Sequence, residues 1–338
     1  MTFQRTLAIT PTSIHTIAVI STILWFITGC LGSEHCTTIP KEASSMMLNE
    51  KGWWVYLPIG IQHAGWFSSL LALLSYITSL YLIAELNISH ILLRINSRIF
   101  TIILALLISA CRFLHSFTPG TIIMLCSIMS YFSLFNSYQA ERSPGHNYMT
   151  FLYLSIAALF YPKLLWLAPF YWLSMYILRA INLKNVLASI LGLITPIWIV
   201  GSIAFYNDHT HVLLSILKQF YTFNWGGYSL LSSSQWIMII VSLVMFLIGT
   251  GEFYARIYLD KNKTRNQYYS IILLGFALFT LLMIQPCGVQ FILPTALIIT
   301  SIMFGHYIVN GESFVSNIIV LSVLGILTIM YFLNTWIL

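Results

Sequence analysis

Charge is what this chain has least of. Acidic and basic residues make up only 7% of its 338 positions, aspartate occurs only at Asp208 and Asp260, and the mean hydropathy is +0.87. Too few charges are present to solvate a water-facing globule of this length, which excludes an ordinary soluble enzyme or binding module. Catalytic signatures are equally scarce. There is no HExxH, GxSxG, P-loop or Rossmann glycine pattern, and the five cysteines have no zinc-site spacing. No repeat period, low-complexity tract or soluble domain interrupts the chain. The net charge of +6 does not point to nucleic acid, because the 15 basic residues are scattered between apolar runs.

What is present is hydrophobic length. A helix needs about twenty apolar residues to cross a bilayer core. Apolar segments run over Ser13–Leu31, Pro58–Ala84, Ile99–Cys111, Thr121–Phe135, Val186–Phe205, Trp236–Gly251, Tyr268–Met283, Phe291–Phe304 and Phe314–Leu333. Between the fourth and fifth lies Tyr148–Lys184, two shorter apolar stretches split at Tyr161-Pro162-Lys163. Proline removes a backbone donor and bars the residue before it from the helical region, so the chain must break there into a helical hairpin with Lys163 at its tip. In lipid such a tip has to be wrapped by protein or face a water-filled cavity. The expected fold is all-α: a polytopic integral membrane protein with about eleven transmembrane helices, short hairpins included, forming a single transmembrane domain over residues 1–338.

Its two larger polar loops are 33–57 and 206–234, and within the latter Leu213, Leu214, Ile216, Leu217 and Phe220 recur at the spacing of an interfacial helix. Cationic loops are retained in the cytoplasm. With the N-terminus inside, the inner loops hold Arg5, Arg94, Arg98, Arg142, Arg179, Lys184, Arg256, Lys261, Lys263 and Arg265. The outer ones hold only Lys41, Lys51, Arg112, Lys163 and Lys218. The expected location is the inner membrane of a bacterium, with the C-terminus and both large loops periplasmic.

Few residues offer chemistry. Glu34 and His35 follow the first span on the same side as Arg112, Lys163 and Asp208. A surface carboxylate can deprotonate an acceptor hydroxyl and neighbouring cations can hold a departing phosphate, although a solvated loop glutamate has the same sequence appearance. Lys163 reads equally as a ligand contact or as a lysine snorkelling to the headgroups. His63 sits at membrane depth near Gln62, where a polar residue is a candidate for substrate contact or for satisfying its neighbours. Asp208, His209 and His211 are three metal-ligand types in one loop with no second cluster to complete a site. Gln285, Pro286, Gly288 and Gln290 mark another break, which suits either a cavity-lining broken helix or a tight turn. Cys30 and Cys36 either form a disulfide or stay as thiols, and Ile27-Thr28-Gly29-Cys30 also matches a lipidation pattern. Cys111, Cys126 and Cys287 read as packing residues. No cofactor is implied.

Two resemblances follow from these stretches. Ala158, Leu159, Phe160, Tyr161, Pro162, Leu164, Leu165 and Pro169, then Arg179 and Asn182, then Gly192 and Pro196, resemble a pattern in an uncharacterised family of multi-pass membrane proteins from Bacteroidota. Over roughly residues 60–205 that likeness implies a bacterial inner-membrane protein. The order of a first span, a long outer loop with an acid near its start and then short helical pairs is similar to the polyprenyl-phosphate-sugar-dependent (GT-C) glycosyltransferases. That second resemblance implies a lipid-linked sugar as substrate, with Glu34 in the place of the catalytic acid; the family's Asp-containing signature is absent, since the only aspartates are Asp208 and Asp260. The expectation is a GT-C-like module of envelope biogenesis acting at the outer leaflet, among membrane lipids. The alternatives are a non-catalytic membrane subunit docked on a membrane protein partner, and a transporter built around the breaks at Pro162 and Pro286.

Overall fold

In a computed structural model the described residues are 65–93, 99–111, 114–115, 117–139, 143–206, 218–222, 228, 231–311 and 314–336. Among them the regular structure is entirely helical. Ten α-helices follow one another: α1 (Gly65–His90), α2 (Ile99–Ser109), α3 (Pro119–Asn136), α4 (Pro144–Phe160), α5 (Ala168–Ile177), α6 (Leu183–Tyr206), α7 (Ser233–Ala255), α8 (Asn262–Ile284), α9 (Val289–Asn310) and α10 (Phe314–Trp336). They correspond in order to ten of the eleven apolar segments; the segment at Ser13–Leu31 lies outside the described residues. Seven are long and apolar enough to cross a membrane: α1, α3 and α6 to α10.

Local chemistry sets the boundaries. Pro119 and Pro144 open α3 and α4, where a missing N–H costs nothing. A capping box opens α7: the Gln235 N–H donates to Ser232 Oγ, and Ser232 N–H donates back to Gln235 Oε1 at 3.1 Å. At the end of α5, Arg179 takes a left-handed φ of 55°. The Ala180 N–H then reaches back to Met175 O at 2.9 Å, and Arg179 N–H to Tyr176 O at 3.0 Å, the paired bonds of a Schellman stop.

The break at Pro162 is where proline chemistry requires it, but its outcome is not two equal short helices. Helix α4 has 17 residues and spans about 25 Å at 1.5 Å per residue. The return leg is a 3-10 turn, Pro162–Leu167, continued by the ten residues of α5. At roughly 2 Å per residue in the 3-10 part, this leg is about 27 Å long. Both legs therefore come close to the thickness of a hydrocarbon core. By contrast α2, with 11 residues, is about 16 Å long and buried along nearly its whole length.

Helix α9 is the axis of the bundle. Its span is 94% buried, against 17% for α6, although both are similarly apolar. It packs on α2, α3, α7 and α8, while α6 lies outside against α4. Close approaches are made at glycines: Gly249 of α7 against the Met303 backbone, Gly305 of α9 against the Phe100 ring, and Gly192 of α6 against Tyr148 O. Small residues at crossings are how helices pack where burial of apolar surface gives no drive of its own.

Because the helices alternate in direction, the connections collect at two ends. At one end Ser68, Phe117, Gly120, Lys163, Phe220, Gln285 and Gln290 are brought together: Phe117 N–H donates to Ser68 Oγ at 3.1 Å, Gly120 abuts Gln290 O, and Trp166 Nε1 donates to Phe220 O at 3.3 Å. At the other, Gln139 N–H donates to Leu178 O at 3.2 Å, Tyr268 Oη donates to Leu92 O at 3.3 Å, and Asp260 meets His306. These are the Lys163 end and the Asp260 end below.

Candidate functional site

Two interruptions of helical structure meet at the Lys163 end. The first follows from Pro162, which stops α4 and puts Lys163 in the 3-10 turn. The second follows from Pro286: α8 stops at Ile284, Gln285 leaves the helical region at φ −127° and ψ 71°, and Pro286–Gly288 forms another 3-10 turn before α9. Gln285 N–H still closes on Leu281 O at 2.9 Å and its own carbonyl accepts from Gly288 N–H at 3.0 Å, so its backbone is satisfied within the turn.

The two turns are locked side by side. Lys163 Nζ donates to Gln285 Oε1 at 2.6 Å across 122 residues of sequence, in a bond assisted by the ammonium charge. The same Nζ lies 5.9 Å from the centre of the Tyr161 ring. Tyr161 in turn stacks on Phe291 at 4.9 Å and 21°. Its hydroxyl lies over Gly288, where even a methyl group would come within 2.2 Å of it. Lys163 is 1% exposed and Gln285 is 0% exposed. The lysine is therefore not snorkelling: its charge is held inside protein, where an ammonium is costly unless donors and acceptors around it are arranged.

That bond fixes the Gln285 amide. An ammonium only donates, so the atom facing it must be the carbonyl oxygen, and the NH2 group is turned away. This Nε2 is buried and has no hydrogen-bond partner among the described residues. The site thus combines a buried cation with a buried, oriented donor. Two such donors side by side match the chemistry of an oxyanion. Aromatic pairs stand at the same end: Trp166 stacks on Phe220 at 5.3 Å, and Tyr228 stacks on Trp236 at 5.9 Å while its hydroxyl bonds Met283 O.

Of the catalytic, substrate-binding and metal candidates read from sequence, Lys163 is the one among the described residues. Glu34, His35, His63, Arg112, Asp208, His209 and His211 lie outside the described residues, as do Cys30 and Cys36. Cys111, Cys126 and Cys287 carry free thiols. Among the described residues no three His, Cys, Asp or Glu side chains converge as metal ligands. Gln285 was legible only as part of a break. Its pairing with Lys163 has no local signal, since the two residues meet through the packing of α8 against α5 and the first 3-10 turn.

The Asp260 end carries a second polar cluster that sequence reasoning did not assemble. His306 Nε2 lies 3.1 Å from Asp260 Oδ2, with the two side chains 2% and 4% exposed. Asn310 Nδ2 is 2.9 Å from the same ring nitrogen. A protonated Nε2 donates to the carboxylate and cannot accept from the Asn310 amide, whereas an unprotonated Nε2 accepts from the amide and has nothing to give the carboxylate. Arg256 binds Glu252 through Nε at 2.7 Å and donates through Nη1 to Asn310 O. The rings of Tyr268 and Phe253 flank the imidazole at 4.6 and 5.8 Å. The Asp260–His306 and Arg256–Asn310 contacts tie the end of α7 and the α7–α8 link to α9.

Comparison with protein-family models, with curated proteins and with solved structures returns no match to this chain.

Proposed function

We propose that this is an inner-membrane protein of bacterial envelope biogenesis, a GT-C-like module that handles a lipid-linked sugar at the outer leaflet. The observation that carries the reading is the Lys163 ammonium, buried at the meeting of two helix breaks and joined to Gln285. In this reading the chain crosses the membrane about eleven times as one domain, and the Lys163 end is periplasmic. The distribution of charge supports that orientation. The described basic residues at the Asp260 end are Arg179, Lys184, Arg256, Lys261, Lys263 and Arg265, whereas the Lys163 end has Lys163 and Lys218. Helices α8 and α9, with 23 and 22 residues, are each about 33 Å long, enough to cross a hydrocarbon core, which supports reading the turn that joins them as a headgroup-level turn in place of a midplane one. That level suits a lipid phosphate better than a transporter's central cavity.

The chemistry assigns roles as follows. Glu34 is the base that takes the proton of an acceptor hydroxyl. The hydroxyl oxygen bonds to the anomeric carbon of the sugar as the bond from that carbon to the phosphate oxygen breaks. The polyprenyl phosphate leaves with one more negative charge, which Lys163 and Arg112 stabilise. In this reading His35 and His63 are substrate contacts.

The test is made in cells. Glu34→Gln and Lys163→Ala are each expected to deplete a glycolipid or glycoprotein seen in wild type, with the protein at normal abundance in the membrane. An unchanged glycolipid and glycoprotein profile at normal abundance overturns the enzyme reading and leaves a non-catalytic membrane subunit, to be sought by co-purification in mild detergent.

A further inference from the structure

We infer that Gln285 is a binding residue, and that its side-chain amide and the Lys163 ammonium together form a clamp for a phosphate oxyanion. The inference rests on the reading of the Lys163 end as a place where a lipid phosphate is handled, and it names the second group that holds it. Three observations support it. Lys163 Nζ donates to Gln285 Oε1 at 2.6 Å, so the amide cannot turn over without setting a donor against a donor. Gln285 Nε2 is consequently a donor, fully buried, with no hydrogen-bond partner among the described residues. Both groups stand in turns fixed by proline and locked by Tyr161 against Gly288 and Phe291, so their spacing is set by backbone packing and not by two flexible side chains.

A clamp of this kind is made only of donors. It takes a ligand that presents acceptors and negative charge, which a phosphodiester does and a neutral polyprenol or glycoside does not. The same chemistry is offered by free inorganic phosphate, so the source of the oxyanion has to be separated by experiment. Because Gln285 and Lys163 are covered in this structure, the ligand reaches them by displacing what lies over the turns. Gln285 acts through binding and touches no transferred atom.

The full chain is purified into phosphatidylcholine nanodiscs and titrated with three probes: decyl phosphoglucose, a lipid phosphodiester; decyl glucoside, with the same tail and sugar but no phosphate; and inorganic phosphate. Wild type is expected to bind decyl phosphoglucose at least tenfold more tightly than decyl glucoside. Gln285→Leu is expected to lower that affinity about tenfold, as for one hydrogen bond to a charged group, and Gln285→Glu to lower it further by repelling the anion and neutralising Lys163. Gln285→Asn, which keeps the donor, should retain part of the binding.

If Lys163→Met abolishes binding of decyl phosphoglucose while Gln285→Leu and Gln285→Glu stay within twofold of wild type, the inference is overturned and the wider reading survives. Should inorganic phosphate bind as tightly as the lipid, in a way that Gln285→Leu weakens, the clamp stands and the lipid-linked reading falls. Equal binding of decyl phosphoglucose and decyl glucoside by wild type sinks both. Where Gln285→Leu does not fold, a structure of wild type with decyl phosphoglucose decides: a phosphate oxygen within about 3.2 Å of Nε2 supports the clamp, and one beyond about 4 Å overturns it.

Discussion

Placing a methyl group on Gly288 tests the contact on which the candidate site depends. Gly288 has φ −86° and ψ 8°, a turn conformation that L-residues adopt, so Gly288→Ala brings little backbone penalty. The obstacle is steric. The new Cβ would lie 2.2 Å from Tyr161 Oη, 2.7 Å from Cζ and 3.3 Å from Ile292 Cδ1. Tyr161 cannot swing aside, being 1% exposed and stacked on Phe291. The two 3-10 turns must therefore part, stretching the 2.6 Å bond between Lys163 and Gln285. Overpacking of this kind costs about 1–3 kcal/mol, offset by about 0.4–1 kcal/mol because alanine restricts the unfolded chain. The net expectation is a loss of about 1–2 kcal/mol. Tyr161→Phe removes the nearest atom and leaves the ring carbon at 2.7 Å, so it should relieve part of the strain and not all. The double-mutant cycle should show a coupling of about 1 kcal/mol in the sense of rescue. The assay is reversible unfolding in mixed micelles with rising SDS, followed by circular dichroism. A Gly288→Ala protein as stable as wild type, or one whose loss Tyr161→Phe leaves unaltered, would show that the turns do not abut.

Four further outcomes are expected. Gly249→Ala should destabilise by at least as much as Gly288→Ala, because its Cβ would sit 2.6 Å from the Met303 backbone, which has no rotamer to change; Gly251→Ala, with nothing within 4 Å, should be neutral or stabilising by up to about 1 kcal/mol in the same unfolding assay. Asp260→Leu alone should cost about 3–5 kcal/mol, whereas Asp260→Leu with His306→Leu should cost less than either single change, since removing both partners leaves no buried charge; a purely additive double variant would refute the pairing. Cys111 is buried, at 1% exposure, so a maleimide in solution does not reach its sulfur. N-ethylmaleimide at pH 7.5 should therefore leave Cys111 unmodified by mass spectrometry until SDS unfolds the protein, and prompt labelling would contradict its burial. Finally, Lys218→Cys should be labelled by an impermeant maleimide from the periplasm and Lys261→Cys only from the cytoplasm; labelling of both from one side would refute the alternation of helices.

How much of this was legible depends on which force writes the signal. The segments were readable because each must be apolar to lie in lipid, and the break at Pro162 was readable because proline forbids the alternative. Hydropathy could not say which helix is central. Lipid and protein interior are equally apolar to it, so α9 and α6 carry similar hydropathies of 1.9 and 2.1 while differing in burial by 94% against 17%. The distinguishing mark is distribution. Thr295, Thr300, Ser301, Gly305 and His306 are spread around α9, whereas the buried polar positions Asn185 and Ser189 and the close-packed Gly192 of α6 form one stripe. Helix stops at Ile91, Gln139 and Arg179 were illegible for another reason: each takes a positive φ without being glycine, a local cost that tertiary packing overrides. Lys163 could be singled out because a cation inside an apolar stretch is conspicuous. Its partner could not, because a glutamine beside a proline reads as an ordinary turn until the fold sets it against that cation. A site made from one conspicuous charge and one inconspicuous amide is therefore half visible in sequence, and the hidden half is the one whose orientation makes the chemistry specific.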